Sequence, residues 1–337
     1  MGIPIFTEIA DREYANSRAA TEKLTTKILE QQQQYTVDEA EEREIQARIK
    51  NARRSQEEKD LKENRKNISK DQLRANDLAQ MKGASAWLNA LPLENEGYTL
   101  NKREFFDAVS LRYRWRLKRL PIKCVCGQSF DADHAMQCKY GGFDLRRHDR
   151  IRDMLAEMVD GVSYDVQIEP PLQPLTGERL RHSANKKPEA RLDFTARGFW
   201  QRGELAFFDV RVFNPFAKTH LNTKLESAFE RNETSKKTEY NERVINIEHG
   251  SFTPVVLSAF GGFGRETSKF ISTLISKISE RHDLQLSSVA NYIRTKISFE
   301  LVRSQIMCIR GSRRRRKIEI EAEEIQVVES ISRMPVE

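Results

Sequence analysis

Apolar positions are unevenly spread along the 337 residues: sparse in the first eighty, dense from about 100 to 310. Residues 1–17 are a short mixed segment. Residues 18–80 are dense in charge, with glutamines at 31–34, and have too few hydrophobes for a sustained heptad seam. This pattern predicts one or two solvated helices, or a helical hairpin. From Ala84 the texture changes, and Trp87, Leu88, Leu91 and Leu93 open an apolar surface. A helix is predicted over 101–118, with Phe105, Phe106, Val109 and Leu111 on its buried side.

Beyond residue 145 the period alternates between helical and strand-like. An amphipathic helix is predicted at 148–160, where Ile151, Leu155, Met158 and Val159 share a face. Asp149, Asp153 and Glu157 share another face, read as solvated. Strands are predicted at 163–168, 190–196, 205–213 and 253–259, and helices at 221–246, 265–281 and 287–308. Residues 205–213, Leu-Ala-Phe-Phe-Asp-Val-Arg-Val-Phe, are the strongest strand, stopped by Asn214-Pro215. The resulting order is α-β-β-β-α-β, so the expected class is α+β. The glycines at 261, 262 and 264 form a turn without the Gly-Lys-Ser/Thr of a phosphate loop.

Composition narrows the function. Hydrophobic residues make up 38% and charged residues 32% of the chain, polar but sufficient for a core. No secretory apolar region and no run long enough to cross a bilayer is found, so an intracellular, nuclear or cytoplasmic protein is expected. The net charge of +7 is compatible with a polyanionic partner, and clustering strengthens that reading. Between 102 and 123 there are eight Lys or Arg against two acids, with Tyr113 and Trp115 interleaved. Arg112, Arg114 and Arg116 are the candidate nucleic-acid contacts there. Trp115 is expected to face the core, with base stacking the alternative. Residues 313–317 are five consecutive cations, followed by an acidic stretch to residue 329.

Three of the four cysteines lie within fifteen residues, which is not a disulfide framework. Cys124, Cys126, His134 and Cys138 are spaced C-x-C-x7-H-x3-C. Thiolate and imidazole are the donors zinc prefers, and four of them close a structural site. Gly127 permits the turn after the first pair. The x3 spacing puts His134 and Cys138 on one helical face.

A second constellation is acidic. Asp209 sits at the centre of the strongest strand and Asp193 on the preceding strand. A carboxylate in an apolar strand is costly unless it is paired or bound to a metal. Two such groups on neighbouring strands could hold magnesium. Arg211 shares the strand face of Asp209 and could clamp a phosphate. Lys236 or Lys237, on the following helix near Glu233 and Tyr240, could supply a further cation. The alternative is a structural pair of Asp209 with Arg211 or Arg191. Arg147 and His148, at the start of the 148–160 helix, are placed for phosphate contact.

With these residues in place, the chain resembles over about 84–310 the C-terminal region of non-LTR retrotransposon polyproteins. There a CCHC zinc knuckle and an Arg-His-Asn/Asp element precede a restriction-enzyme-like endonuclease of the PD-(D/E)xK type, followed by a helical Lys/Tyr element. The matching residues are Cys124, Cys126, His134 and Cys138, then Arg147-His148-Asp149, Asp193, Asp209-Val210-Arg211, and Lys236, Lys237 and Tyr240. The expected organisation is a charged helical arm at 1–83, a basic segment at 84–122 and a charged tail at 311–337, read from the composition, with a knuckle at 123–145 and, as the resemblance implies, a nuclease domain at 146–310. The resemblance implies a magnesium-dependent endonuclease that nicks target DNA, with Asp193 and Asp209 as metal ligands and Lys236 or Lys237 as the displaced lysine. Tyr240 and His148 would lie against nucleic acid. Three positions depart from the family: Glu189 follows Pro188, Arg211 replaces a lysine, and one residue separates the first cysteines. No Tyr-x-Asp-Asp polymerase motif is present. The expected partner is DNA, or RNA, with no membrane and no small-molecule substrate. The alternatives are an inactive nucleic-acid-binding zinc protein, and a zinc-stabilised scaffold binding proteins through the arm.

Overall fold

The computed structural model describes residues 6–32 and 38–313. The cations beyond Arg313 and the acidic stretch that follows lie outside the described residues, as do residues 33–37. The chain divides into two units, Met1–Lys70 and Asp71–Glu337.

The first unit is a pair of helices, α1 (Phe6–Leu29) and α2 (Glu39–Asn64). Its helix therefore begins within the segment read as mixed. Asp38 caps α2, accepting from the amides of Ala40 and Glu41. Ile49 is the buried residue of α2, and ion pairs also link the two helices. Arg53 meets Glu13, and Lys23 meets Glu41. Such exposed pairs contribute little individually.

In the second unit α3 (Lys70–Gln80) departs from the charged character of the arm. Its Ala75 and Leu78 bury against Phe216 and Leu225. Arg74 donates to the carbonyls of Pro215 at 2.9 Å and Thr223 at 2.6 Å. The short helix α4 (Ala86–Asn89) buries Trp87, whereas Leu91 and Leu93 are exposed. Helix α5 (Lys102–Arg112) stops six residues earlier than the pattern suggests. It buries Val109 and Leu111, but Phe105 and Phe106 are nearly half exposed, contrary to expectation. The apolar count there exceeds what one face of a three-turn helix can bury.

The core is a four-stranded sheet in the order β1 (Tyr164–Ile168), β2 (Phe194–Arg197), β3 (Leu205–Phe213), β4 (Ser251–Ser258). The first two pairings are antiparallel and β3–β4 is parallel. A parallel neighbour requires a crossover. That crossover is α8 (Leu225–Arg243) and a π-helical turn, Val244–Glu248. On one face Phe194, Phe208, Val210 and Val255 pack against α7 (Phe143–Asp160), α9 (Arg265–His282) and α10 (Leu286–Arg310). On the other, Phe207 and Phe252 meet Tyr240 and Val244 of the crossover. The order α7-β1-β2-β3-α8-β4 is the α-β-β-β-α-β order read from the sequence. β3 is buried on both faces, which explains its near-continuous apolar run.

Candidate metal centre and carboxylate site

The four predicted metal ligands converge. Their donor atoms all lie within 4.8 Å of one another, and together they form a group able to hold a metal ion. A tight turn after Cys124 brings the first pair together. The Gly127 amide donates to the Cys124 carbonyl at 2.8 Å, with Gly127 at φ +88°, and a bridge joins Lys123 to Ser129. Helix α6 (Ala132–Ala135) supplies His134, capped by Asp131, whose Oδ1 accepts from the His134 amide at 2.7 Å. The Cys138 amide donates to the His134 carbonyl at 2.9 Å, the i, i+4 relation anticipated from the spacing.

The donor set suits zinc. A tetrahedron with zinc–sulfur bonds of about 2.3 Å has sulfur–sulfur edges near 3.8 Å and sulfur–nitrogen edges near 3.6 Å. Cys124 Sγ and Cys138 Sγ are 3.7 Å apart, and Cys126 Sγ is 3.3 Å from His134 Nε2. The single-residue spacer between the first cysteines is thus no obstacle to convergence. Cys124, Phe130, Met136 and Cys138 pack into one cluster with Leu111, Phe143 and Ile309.

The carboxylate site lies on the sheet. Asp193, just before β2, stands beside β3, its amide donating to the Phe208 carbonyl at 3.1 Å. Its Oδ2 accepts from the Val210 amide at 2.5 Å and lies 3.1 Å from His148 Nε2. The same nitrogen is 3.1 Å from the Val210 carbonyl, while Nδ1 faces Asp149 at 3.3 Å. Oxygen atoms at both ring nitrogens favour the doubly protonated imidazole. Burial opposes the charge on His148, but the hydrogen bond and charge of Asp193, aided by Asp149 and Asp209, raise its pKa to about 9.

Asp209 is buried on β3. Lys236 Nζ lies 2.9 Å from its Oδ2 and hydrogen-bonds its Oδ1 at 3.2 Å. The Oδ2 contact is an ion pair with poor hydrogen-bond geometry, so this buried oxygen accepts no hydrogen bond. Burial pushes the Asp209 pKa up to about 6, against the Lys236 charge; nearby Asp193 adds to the rise. Asp193 and Asp209 therefore feel each other electrostatically. Their partners are Lys236 and His148, neither Arg211 nor Arg191. As a magnesium site the pair offers carboxylate oxygens and the Val210 carbonyl, hard donors of the right kind. Protein cations already contact the same oxygens, and among the described residues no third carboxylate joins them.

The other candidates separate. Arg211 is exposed. Lys237 turns away to pair with Glu266 at 2.9 Å. Tyr240 is buried, its hydroxyl accepting from Asn185 Nδ2 at 3.2 Å, and burial raises its pKa. Little of its ring is open to a ligand. Arg147 is also buried, reaching Met136 Sδ at 3.5 Å and the Val212 carbonyl at 3.4 Å. The reason is that α7 begins at Phe143, five residues earlier than expected. Arg147 and His148 lie inside the helix, away from the anion-binding terminus. Arg114 is tied to Asp133 at 2.6 and 3.0 Å, and Arg112 to Ser85 at 2.7 Å. Arg116 is exposed. Trp115 is also exposed, at 51%, contrary to the core placement expected of it.

Two contributions escaped the sequence reading. One is the Val210 backbone, which no pattern marks. The other is Arg243, fully buried, which donates to the carbonyls of Asn185, Lys187 and Gln173 at 2.8–3.0 Å. It fastens the long loop leading to Asp193. A lone arginine at the end of a helix gives no such signal.

No protein-family model and no curated protein matches the chain. Among the described residues, no helix is long and apolar enough to cross a membrane.

Proposed function

We propose that the chain is a metal-dependent DNA endonuclease of the non-LTR retrotransposon kind, with a restriction-endonuclease-like core and a structural zinc centre. The observation that carries this reading is the trio of Asp193, Asp209 and Lys236. It sets one acid just before β2 and another on β3, with a lysine from the crossover helix within 2.9 Å of Asp209. That donor set suits phosphodiester hydrolysis. Magnesium held by Asp193 and Asp209 would neutralise phosphate charge and acidify a water. Lys236 supplies the cation that Arg211, exposed two residues further along β3, does not bring to Asp209. His148 and the Val210 amide fix the orientation of Asp193. Exposed Arg211 is left to bind phosphate.

The test is nicking of supercoiled plasmid by the zinc-loaded chain with Mg²⁺ or Mn²⁺. Asp209→Asn and Lys236→Ala are each expected to lower the rate by about 10²-fold or more, the scale of a lost general acid–base or charge-stabilising group. Lys237→Ala is expected to retain nicking, because its partner is Glu266. A folded, DNA-bound protein that nicks under neither metal would overturn the reading.

One observation favours a second reading, nucleic-acid binding without cleavage. Lys236 and His148 already neutralise the two aspartates. In that case binding weakens with salt and no metal supports cleavage.

A further inference from the structure

We infer that Trp115, stacked on Tyr113, is a base-stacking platform for single-stranded nucleic acid. The inference rests on the nucleic-acid part of the proposed function and is independent of cleavage.

The geometry begins at the end of α5. The Trp115 amide donates to the Ser110 carbonyl at 2.8 Å and the Arg114 amide to the Leu111 carbonyl at 3.2 Å. This is a Schellman cap, whose left-handed position is usually glycine. Here it is Arg114, at φ +57°. A second left-handed residue, Arg119 at φ +56°, follows five positions later. Each costs about 1 kcal/mol that glycine would avoid. Both are held from outside. Arg114 is gripped by Asp133 and lies 4.2 Å over the Phe216 ring. Arg310, itself paired with buried Asp107, donates to the carbonyls of Lys118 and Arg119 at 3.0 and 3.1 Å. The segment from 114 to 119 is thus clamped at both ends.

What the clamp holds out is an aromatic ring. In a Schellman cap an apolar residue at this position commonly folds back onto the helix. Trp115 remains 51% exposed, its ring 5.2 Å from Tyr113 and inclined by 28°. Strained backbone that displays a half-exposed tryptophan is an arrangement that stability alone does not explain. Trp87, by contrast, is buried.

The surroundings specify the ligand. Arg116, Lys118, Arg119 and Lys123 are exposed, and no acidic residue occurs from 108 to 130. Lys118 lies 5.6 Å over the ring of Phe106, itself exposed. Cations alternating with open aromatic faces match a strand of phosphates and unpaired bases. A duplex keeps its base faces covered and would engage the cations alone. Because the ring is already fixed, a stacking base does not have to order it.

The experiment measures affinity of the zinc-loaded full chain for fluorescein-labelled oligo(dT) and for a blunt hairpin duplex, at low salt without added magnesium. One stacked base contributes about 1–3 kcal/mol, so Trp115→Ala should weaken oligo(dT) binding about 5- to 150-fold. The duplex should lose less than about threefold, and Trp115→Phe should keep most of the single-strand affinity. Oligo(dT) should quench tryptophan emission in the wild type and lose that effect in Trp115→Phe. Unchanged oligo(dT) affinity in Trp115→Ala, an equal loss on duplex, or no oligo(dT) binding at all would overturn the inference. None of these bears on whether plasmid is nicked, and failure to nick would leave the platform intact.

Discussion

Removing zinc should unfold the segment from Ile122 to Cys138 while leaving the sheet standing. Apart from the metal, this segment of about 17 residues is held by its packing on Leu111, Phe143 and Ile309 and by the Arg114–Asp133 ion pair. Fixing its backbone costs about 1 kcal/mol per residue at the low end, or about 17 kcal/mol. It buries Phe130 and Met136, worth about 2–3 kcal/mol each, and the smaller Cys124, Ala135 and Cys138, worth about 1 kcal/mol each. Burial then returns about 8 kcal/mol, leaving a shortfall of about 9. Structural zinc in small fingers contributes about 10–16 kcal/mol, enough to close the gap. The main sheet shares no ligand with this segment, so the expected loss is local. The assay is metal analysis for one zinc per chain, then hydrogen exchange before and after chelation. Amides of 122–138 should lose protection while those of β3 and β4 keep theirs. His134→Ala should reproduce the effect. A chain purified without zinc, or knuckle amides unaffected by chelator, would refute the reasoning.

Other expectations follow from the carboxylate site and its supports. The folded pKa of His148, about 9, lies above its ordinary value near 6.5. The stabilisation from its charge is therefore complete below about pH 6.5 and lost as pH rises through about 9. A shift of this size corresponds to about 3 kcal/mol. Urea unfolding at pH 6 and pH 10 without added divalent metal should show that difference, and Asp193→Asn should remove most of it. An imidazole titrating near 6.5 by proton NMR would contradict this. Arg243→Met leaves three loop carbonyls without their donor, at about 1 kcal/mol or more each. It should lower stability by about 3 kcal/mol and expose residues 173–187 to proteolysis. A melt within about 1 kcal/mol of wild type would show that the clamp is dispensable. Lys236 and Lys237 should part in the nicking assay, since only the former touches Asp209.

Local pattern carried a large part of the fold. The run from Leu205 to Phe213, buried on both faces, was legible as a strand because its β-branched and aromatic residues leave no helical stripe. β4 followed by the same reasoning. Ends of elements were harder. The α7 start at Phe143 depends on Gly142 adopting a left-handed conformation, which the residue type allows without requiring. That five-residue shift moved Arg147 from a presumed phosphate contact into the core. Phe105 and Phe106 differ from expectation for a related reason: hydrophobicity favours burial, and the supply of inward positions on α5 decides which side chains obtain it.

The sequence by itself determined the convergence of the four candidate metal donors, because donors at short range are brought together by one turn and one helical step. It also determined that Asp209 needs a partner, since a carboxylate within an apolar strand cannot remain alone. Only the tertiary structure decided which partner. Lys236 and Lys237 are adjacent in sequence, but successive helix positions point about 100° apart. The packing of α8 on the sheet turns Lys236 toward Asp209 and Lys237 toward Glu266. The same packing decided that His148 bridges Asp193 and the Val210 carbonyl, a contact across 45 and 62 residues that no local period encodes.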